Sequence, residues 1–569
     1  MRRNLILALI LATLTGVAPI LAQEEQLAEE MPVFLENVDV QIINVDVVVT
    51  DKKGNTIRDL TIDDFVVLEN RQVQLLTNFY EIREQSGKTV TIAPASDPGQ
   101  APIVEELDEV PPHLQRRVVF FIDNLSLGVF SRNRVFRDMM QFAEDVLRPG
   151  DQAMIATWNR SLKIRVPWTN NHEQIKRELE TISGESALGI SYQSERRQIQ
   201  SRIREADDRN DAIVQARSWA QSIEHDLRQT VSSINALMST LSGIEGKKIM
   251  VLTSEGFQMQ PGAEMFSFID HVSRTKAEWG SQSGGTLLEG MAFNSAHLIQ
   301  SVAREANASD ITLYAIHAAG LTGLGSSSAE NFDTVPLEVE MVGLHNSTDS
   351  LRLMAEMTGG VAVTGSNNFK LAFDQIERDL GGYYSLGYRS GTQRVDRQRS
   401  IEVQLKDPSL RRQYSVRARS SFVEKSIGSE MNDKVIANLF HESAGNDIGV
   451  FLTTGRPVRH DDGTFLVSLD IHIPMDSLTF LPAGGSQRGS FTVWIVAADI
   501  RGDMSDMQSQ QHTFSIPDDE LAALKGKHYT YTFDLILRKG RNTLSVGALD
   551  DVSRLRGFAQ TDILAADLR

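Results

Sequence analysis

The 569-residue chain contains no cysteine. Disulfides, thiolate metal sites and a lipid anchor on cysteine are thereby excluded. A folded chain of this length must then rest on buried apolar cores, divided over roughly two to four domains. Past the N-terminal segment, no apolar run is long enough for a membrane helix. Basic charge is also in short supply: 57 Lys and Arg stand against 75 Asp and Glu, a net charge of −18. Nucleic-acid affinity comes from neutralised phosphates, so this balance argues against such a partner. Catalytic signatures are missing too. There is no Gly-x-Ser-x-Gly elbow, no Gly-x-Gly-x-x-Gly turn after a strand and no Gly-x-x-x-x-Gly-Lys-Ser/Thr phosphate loop. His441-Glu442-Ser443-Ala444-Gly445 lacks the second histidine of a zinc-hydrolase helix. Scattered histidines such as His317 and His345 read as structural or surface residues. The expectation is a protein that is not an enzyme, with a hydrolase as the weaker alternative.

What is present begins with Arg2 and Arg3, an apolar run from Leu5 to Leu14, Pro19, and Ala22 before the polar Gln23-Glu24-Glu25. That order predicts a secretory signal peptide over 1–22, and export to the periplasm, outer envelope or exterior. After cleavage the charge would be about −20. Residues 34–83 alternate as strands, with Asp51-Lys52-Lys53-Gly54-Asn55 as a turn, and predict an N-terminal β module. Residues 84–114, rich in Pro, Ala, Ser, Asp and Glu, read as a linker.

From 115 to 390 strands and helices alternate. Val118–Ile122 is a continuous apolar run, as in a strand covered on both faces, and helical spacing follows through Val135, Met139, Phe142 and Val146. Further strands are predicted over 153–157, 162–166, 248–252 and 311–316, with Tyr383–Tyr388 as a closing strand. Strands separated by helices predict an α/β fold with a doubly wound, mostly parallel sheet. Residues 191–241 contain neither proline nor glycine and carry apolar or small residues mostly three or four apart. They predict a long helix or a helical hairpin broken near Asp207–Asn210, lying on its own domain or offering a partner surface. Residues 391–423 read as strand and linker. Strand periodicity over 424–569 predicts a C-terminal immunoglobulin-like β-sandwich.

The central domain resembles the von Willebrand factor type A family. The resemblance rests on the apolar strand ending in Asp123-Asn124-Leu125-Ser126-Leu127, on Lys247–Leu252 followed by Thr253-Ser254-Glu255-Gly256, and on Thr358-Gly359-Gly360. With the flanking β segments, the chain looks like exported bacterial proteins related to that family. The resemblance implies a protein-binding or adhesion-type module with other proteins as partners, and a structural envelope scaffold is the rival reading. It also implies a site for Mg²⁺ or another divalent cation at the C-terminal edge of the sheet, where hard cations take oxygen ligands. Carried onto this chain, the candidate ligands are Asp123, Asn124, Ser126, Ser186 and Glu255, and the candidate partner contacts are Asp123, Ser126, Ser254 and Glu255. Leu125 and Leu127 stand where the family has serines, so the site is expected to be degenerate.

Overall fold

A computed structural model of the chain describes residues 42–566, apart from 86–87, 94–102, 108–109, 149, 277–278, 280–284, 321–334, 392–394, 442–444 and 461–462. Residues 1–22, expected from the sequence to be a signal peptide, lie outside the described residues. The fold is mixed α/β, with one sheet containing parallel strands and several antiparallel sheets. No helix among the described residues is long and apolar enough to cross a membrane. Two compact units are formed, one of residues 40–239 and 245–424, the other including 240–244 and 425–569.

The first unit opens with β1 (Ile42–Asp51), β2 (Phe65–Glu69), β3 (Gln72–Gln74), β4 (Leu76–Gln85), β5 (Lys88–Ala93) and β6 (Ile103–Leu107). The segment expected to be a linker, 84–114, therefore contains strands: β4, β5 and β6 are antiparallel neighbours. The alternation Thr89-Val90-Thr91-Ile92 sustains β5, outweighing the loop-like composition around it.

The α/β part follows as β7 (Arg116–Asp123), α1 (Val129–Val146), β8 (Gln152–Trp158), β9 (Leu162–Thr169), α2 (His172–Ser183), α3 (Gly189–Glu205), α4 (Arg209–Leu241), β10 (Lys247–Ser254), α5 (Ala263–Thr275), α6 (Gly285–Met291), α7 (Ala296–Ala308), β11 (Ile311–His317), α8 (Leu337–Met357), β12 (Ala362–Val363) and α9 (Lys370–Gly381). The sheet order is β12-β11-β10-β7-β8-β9, parallel except for β9 against β8. Its core gathers Val118, Phe120 and Ile122 of β7 with Val135, Met139 and Phe142 of α1. The insertion is a pair of helices, α3 and α4, broken at Ala206–Asp208. Ala212, Ala216, Trp219 and Ala220 of α4 are buried with Met265, Phe266 and Ile269 of α5, which places that face on its own unit.

Next come β13 (Gly382–Arg389), β14 (Gln398–Leu405), α10 (Pro408–Gln413), β15 (Tyr414–Ala418) and β16 (Ser421–Val423). Tyr383–Tyr388 does not close the central sheet. It lies in β13, which pairs antiparallel with β1 and β4, giving the order β15-β1-β13-β4-β5-β6. β14 likewise pairs with β2. The N-terminal strands and residues 382–423 thus share one core, in which Val45, Val47, Phe65 and Phe79 meet Tyr384, Leu386 and Tyr388. Local alternation specifies such strands but not their distant partners.

The second unit begins with a helix, α11 (Ile427–His441), where strand periodicity was expected from 424. Met431, Val435 and Leu439 recur every fourth residue and are buried against Trp494 and Leu549, which accounts for the helix. The strands β17 (Phe451–Thr454), β18 (Val458–Arg459), β19 (Phe465–Pro474), β20 (Leu481–Pro482), β21 (Ser486–Asp499), β22 (Gln508–Pro517), β23 (His528–Leu537), β24 (Gly540–Asp550) and β25 (Arg556–Ala565) form two antiparallel sheets. Val467, Leu469 and Ile471 of one share a core with Phe491, Val493 and Val546 of the other.

Candidate functional site

Parallel register brings four strand ends level at the C-terminal edge of the central sheet. Asp123 pairs with Trp158, Ile122 with Thr253, and Ser254 with His317. Beyond this edge lies a cleft of about 610 Å³, bordered by Asp123, Ser126, Glu255, His317, Tyr192 of α3 and Glu264 of α5, among others. This is where an open α/β sheet gathers ligand-binding loops. The insertion supplies one wall: Trp158 Nε1 donates to Thr230 Oγ1 of α4 at 2.9 Å.

Asp123 is 1% exposed. Its Oδ2 accepts from the hydroxyls of Ser126 (2.7 Å) and Ser254 (2.8 Å), while Oδ1 is buried and has no hydrogen-bond partner among the described residues. Ser126 Oγ accepts from the Glu255 N–H at 3.1 Å, and Ser254 Oγ from the Gly256 N–H at 3.0 Å. Glu255 Oε1 accepts from the Gly128 N–H and the Ser131 hydroxyl at 3.0 and 2.9 Å. Of the sequence-derived candidates, Asp123, Ser126, Ser254 and Glu255 are thus brought together. Asn124 is not part of the group: its Oδ1 accepts from Arg132 Nη1 at 3.1 Å. Ser186 is exposed and does not border the cleft. The loop before α3 docks instead through Leu188, whose N–H donates to Asn124 O, and Gly189, whose N–H donates to Leu127 O.

This donor set does not fit a dedicated divalent-cation site. Mg²⁺ demands near-octahedral oxygen ligands. Both serine oxygens already accept backbone N–H groups, one Asp123 oxygen holds two hydroxyls, and the near Glu255 oxygen holds two donors. Among the described residues no three His, Asp or Glu side chains converge in a metal-binding group.

Sequence reasoning missed Tyr192, Glu264 and His317. Glu264 is fully buried; Oε1 accepts from Trp219 Nε1 (3.2 Å) and Gln258 Nε2 (3.4 Å), and Oε2 has no partner among the described residues. Gln258 Nε2 also donates to the Tyr192 hydroxyl at 2.8 Å. His317 Nδ1 is buried without a hydrogen-bond partner among the described residues, and burial lowers the imidazole pKa. The available signal was an acid set in Ala263-Glu264-Met265-Phe266, an otherwise apolar stretch, and a histidine ending an apolar strand.

Burial raises the pKa of Asp123 and of Glu255 above the ordinary carboxylate range, outweighing hydrogen bonds that favour the charged form. Each group therefore holds its proton more tightly folded than unfolded. The stability so gained is complete below the unfolded value, about 4, and is lost as pH rises through the folded values. Asp123→Asn carries no charge at any pH. It is expected to be more stable than the native chain at neutral pH, the difference narrowing in acid as the native carboxyl takes up its proton. Urea titrations of both proteins across pH measure this, and a less stable variant at neutral pH contradicts it.

No family model matches the chain, and no curated protein matches it. Among solved structures it is similar to an aerotolerance-related membrane protein from Bacteroides fragilis NCTC 9343 at 11% identity, covering 47% of this chain and 98% of that one, TM-score 0.23. Conserved hypothetical protein BatB from Bacteroides thetaiotaomicron is similar at 8% identity, over 47% and 97%, TM-score 0.23. A von Willebrand factor type A protein from Catenulispora acidiphila is similar at 8% identity, over 88% and 74%, TM-score 0.22. Likenesses of this size carry no function across.

Proposed function

We propose that this chain is an exported bacterial binding protein, not an enzyme, whose protein partner engages the cleft at the C-terminal edge of the central sheet. The proposal includes a von Willebrand A-like, doubly wound central domain, an immunoglobulin-like arrangement of the C-terminal sheets, and partner binding that needs no metal. The observation that carries it is that Asp123 borders this cleft with its Oδ1 buried and without a hydrogen-bond partner of normal geometry among the described residues. A buried acceptor left unmade is costly, and an incoming donor relieves that cost. The non-enzymatic reading is supported by the serines: both hydroxyls donate to the Asp123 carboxylate, and neither bonds a histidine ring among the described residues, which leaves them without the base a Ser–His relay needs.

Affinity capture from envelope extract tests the reading, using the native chain and Asp123→Asn, each with and without chelator. The variant is expected to lose capture about tenfold, a difference of roughly 1.4 kcal/mol, while being the more stable protein. Chelation is expected to change nothing. Equal capture by the variant would move the binding surface elsewhere and favour a scaffold role, and capture abolished by chelator would restore a metal-bridged contact.

A further inference from the structure

The same cleft carries a charge imbalance that narrows what can enter it. Asp123, Glu195, Asp226, Glu255, Glu264 and Glu340 border it, against the guanidinium groups of Arg160 and Arg196. Arg160 already lies 3.9 Å from Asp226. Two of the carboxylates are almost wholly buried, and each has one oxygen without a partner: Oδ1 of Asp123 and Oε2 of Glu264. Among the described residues neither Glu264 oxygen bonds a cation: Oε1 takes the Trp219 and Gln258 N–H groups and Oε2 has no partner.

Resting on the reading of this cleft as the binding site, we propose that it receives a cationic organic group, an alkylammonium or guanidinium as on a partner's lysine or arginine side chain. Buried acceptors lacking a partner gain most from a charged donor. A metal ion would need several free oxygens converging on one point, which this cleft does not offer. An ammonium or guanidinium carries several N–H groups pointing in different directions, and so suits acceptors on separate walls. The remaining lining has the other half of such a side chain in complement: Leu188, Ile223, Leu227 and Leu344 border the same space, apolar surface for an aliphatic stem. Tyr192 also borders the space, its hydroxyl held by Gln258 and its ring packed 5.3 Å from that of Trp219.

Titration calorimetry of the full exported chain decides the matter. The probes are blocked tripeptides Gly-Lys-Gly and Gly-Arg-Gly, their neutral counterparts with norleucine and citrulline, butylammonium, and MgCl₂. A basic tripeptide is expected to bind at least about tenfold more tightly than its neutral counterpart. Glu264→Gln, which keeps the shape and the Trp219 contact, is expected to remove about tenfold of that preference, and added Mg²⁺ to leave it unchanged. Glu195→Gln, on the exposed rim, should weaken the charged probes and spare the neutral ones, so the test survives a Glu264 variant that does not fold. Butylammonium binding as tightly as the lysine peptide would identify small free amines as the source of the cation, and tighter peptide binding a protein chain. Equal affinity for charged and neutral probes overturns the proposal, as does a saturable Mg²⁺ isotherm that displaces the basic peptide. Loss of partner capture in Asp123→Asn without any basic-probe binding would overturn the cation and leave the binding cleft standing. Charge-selective binding with capture unaffected would do the reverse.

Discussion

Gly189→Ala is expected to destabilise the first unit by about 3 kcal/mol and to abolish binding at the cleft. A Cβ at this position would lie 2.4 Å from the Ser126 carbonyl oxygen and 2.5 Å from that of Leu127. Both obstacles are backbone, in the loop whose Asp123 and Ser126 form the cleft floor, so neither can swing aside. The only relief is for α3 to lift away, which breaks the Leu188 and Gly189 N–H bonds to that loop and displaces Tyr192 from the wall. Chemical denaturation reads the stability, and ligand titration below the unfolding transition reads the site. Alanine tolerated with less than half this cost would mean that the α3 entrance and the strand-end loop are not tightly coupled.

Arg132→Met should be at least as damaging, about 3–5 kcal/mol, although the residue touches no ligand surface. Arg132 is fully buried in α1. Its guanidinium donates to Asn124 Oδ1 (3.1 Å), Ser183 O (3.1 Å) and Glu185 O (2.8 Å), tying the strand-end loop to the segment after α2. Methionine fills similar volume but removes the donor from Asn124 Oδ1 and Glu185 O, while Ser183 O keeps only Asn133 Nδ2 at 3.1 Å. Melting with Arg132→Met and Arg132→Lys measures the loss. Lysine should recover part of it, because its ammonium can still donate from the same stem; full recovery would show that charge alone, without the planar fork, suffices.

The contrast between Asp123 and Asn124 shows what sequence discloses about the site and what it hides. Asp123 ends a continuous apolar run, and such a strand must finish at the sheet edge, so its place was legible. Asn124 is the next residue and an equally good oxygen donor, yet a buried arginine eight residues on claims it. Nothing in local spacing announces that Arg132 points inward. Ser186 fails for a related reason: the loop docks through the backbone of Leu188 and Gly189, and backbone contacts leave no residue-type signature. The central strands and the broken pair α3 and α4 were readable because periodicity is a local property. Glu264 and His317 were not, since their relevance arises from strand register and from an insertion folding over the edge. The outer sheet was the least legible part, because β1 meets β13 only after the whole α/β segment has intervened.

That last pairing sets a timetable for biogenesis. β1 emerges from the ribosome long before β13, its partner about 350 residues later, so at typical elongation rates of about 5–20 residues per second it waits tens of seconds with both edges bare. Its Val45, Val47 and Val49 are the inward face of a core that does not yet exist. A chain threaded across a membrane before folding would escape premature pairing, whereas one folding as it is made would need a holdase on its N-terminal strands. The vulnerable interval belongs to synthesis, and β1 is where aggregation of a truncated or stalled chain would start.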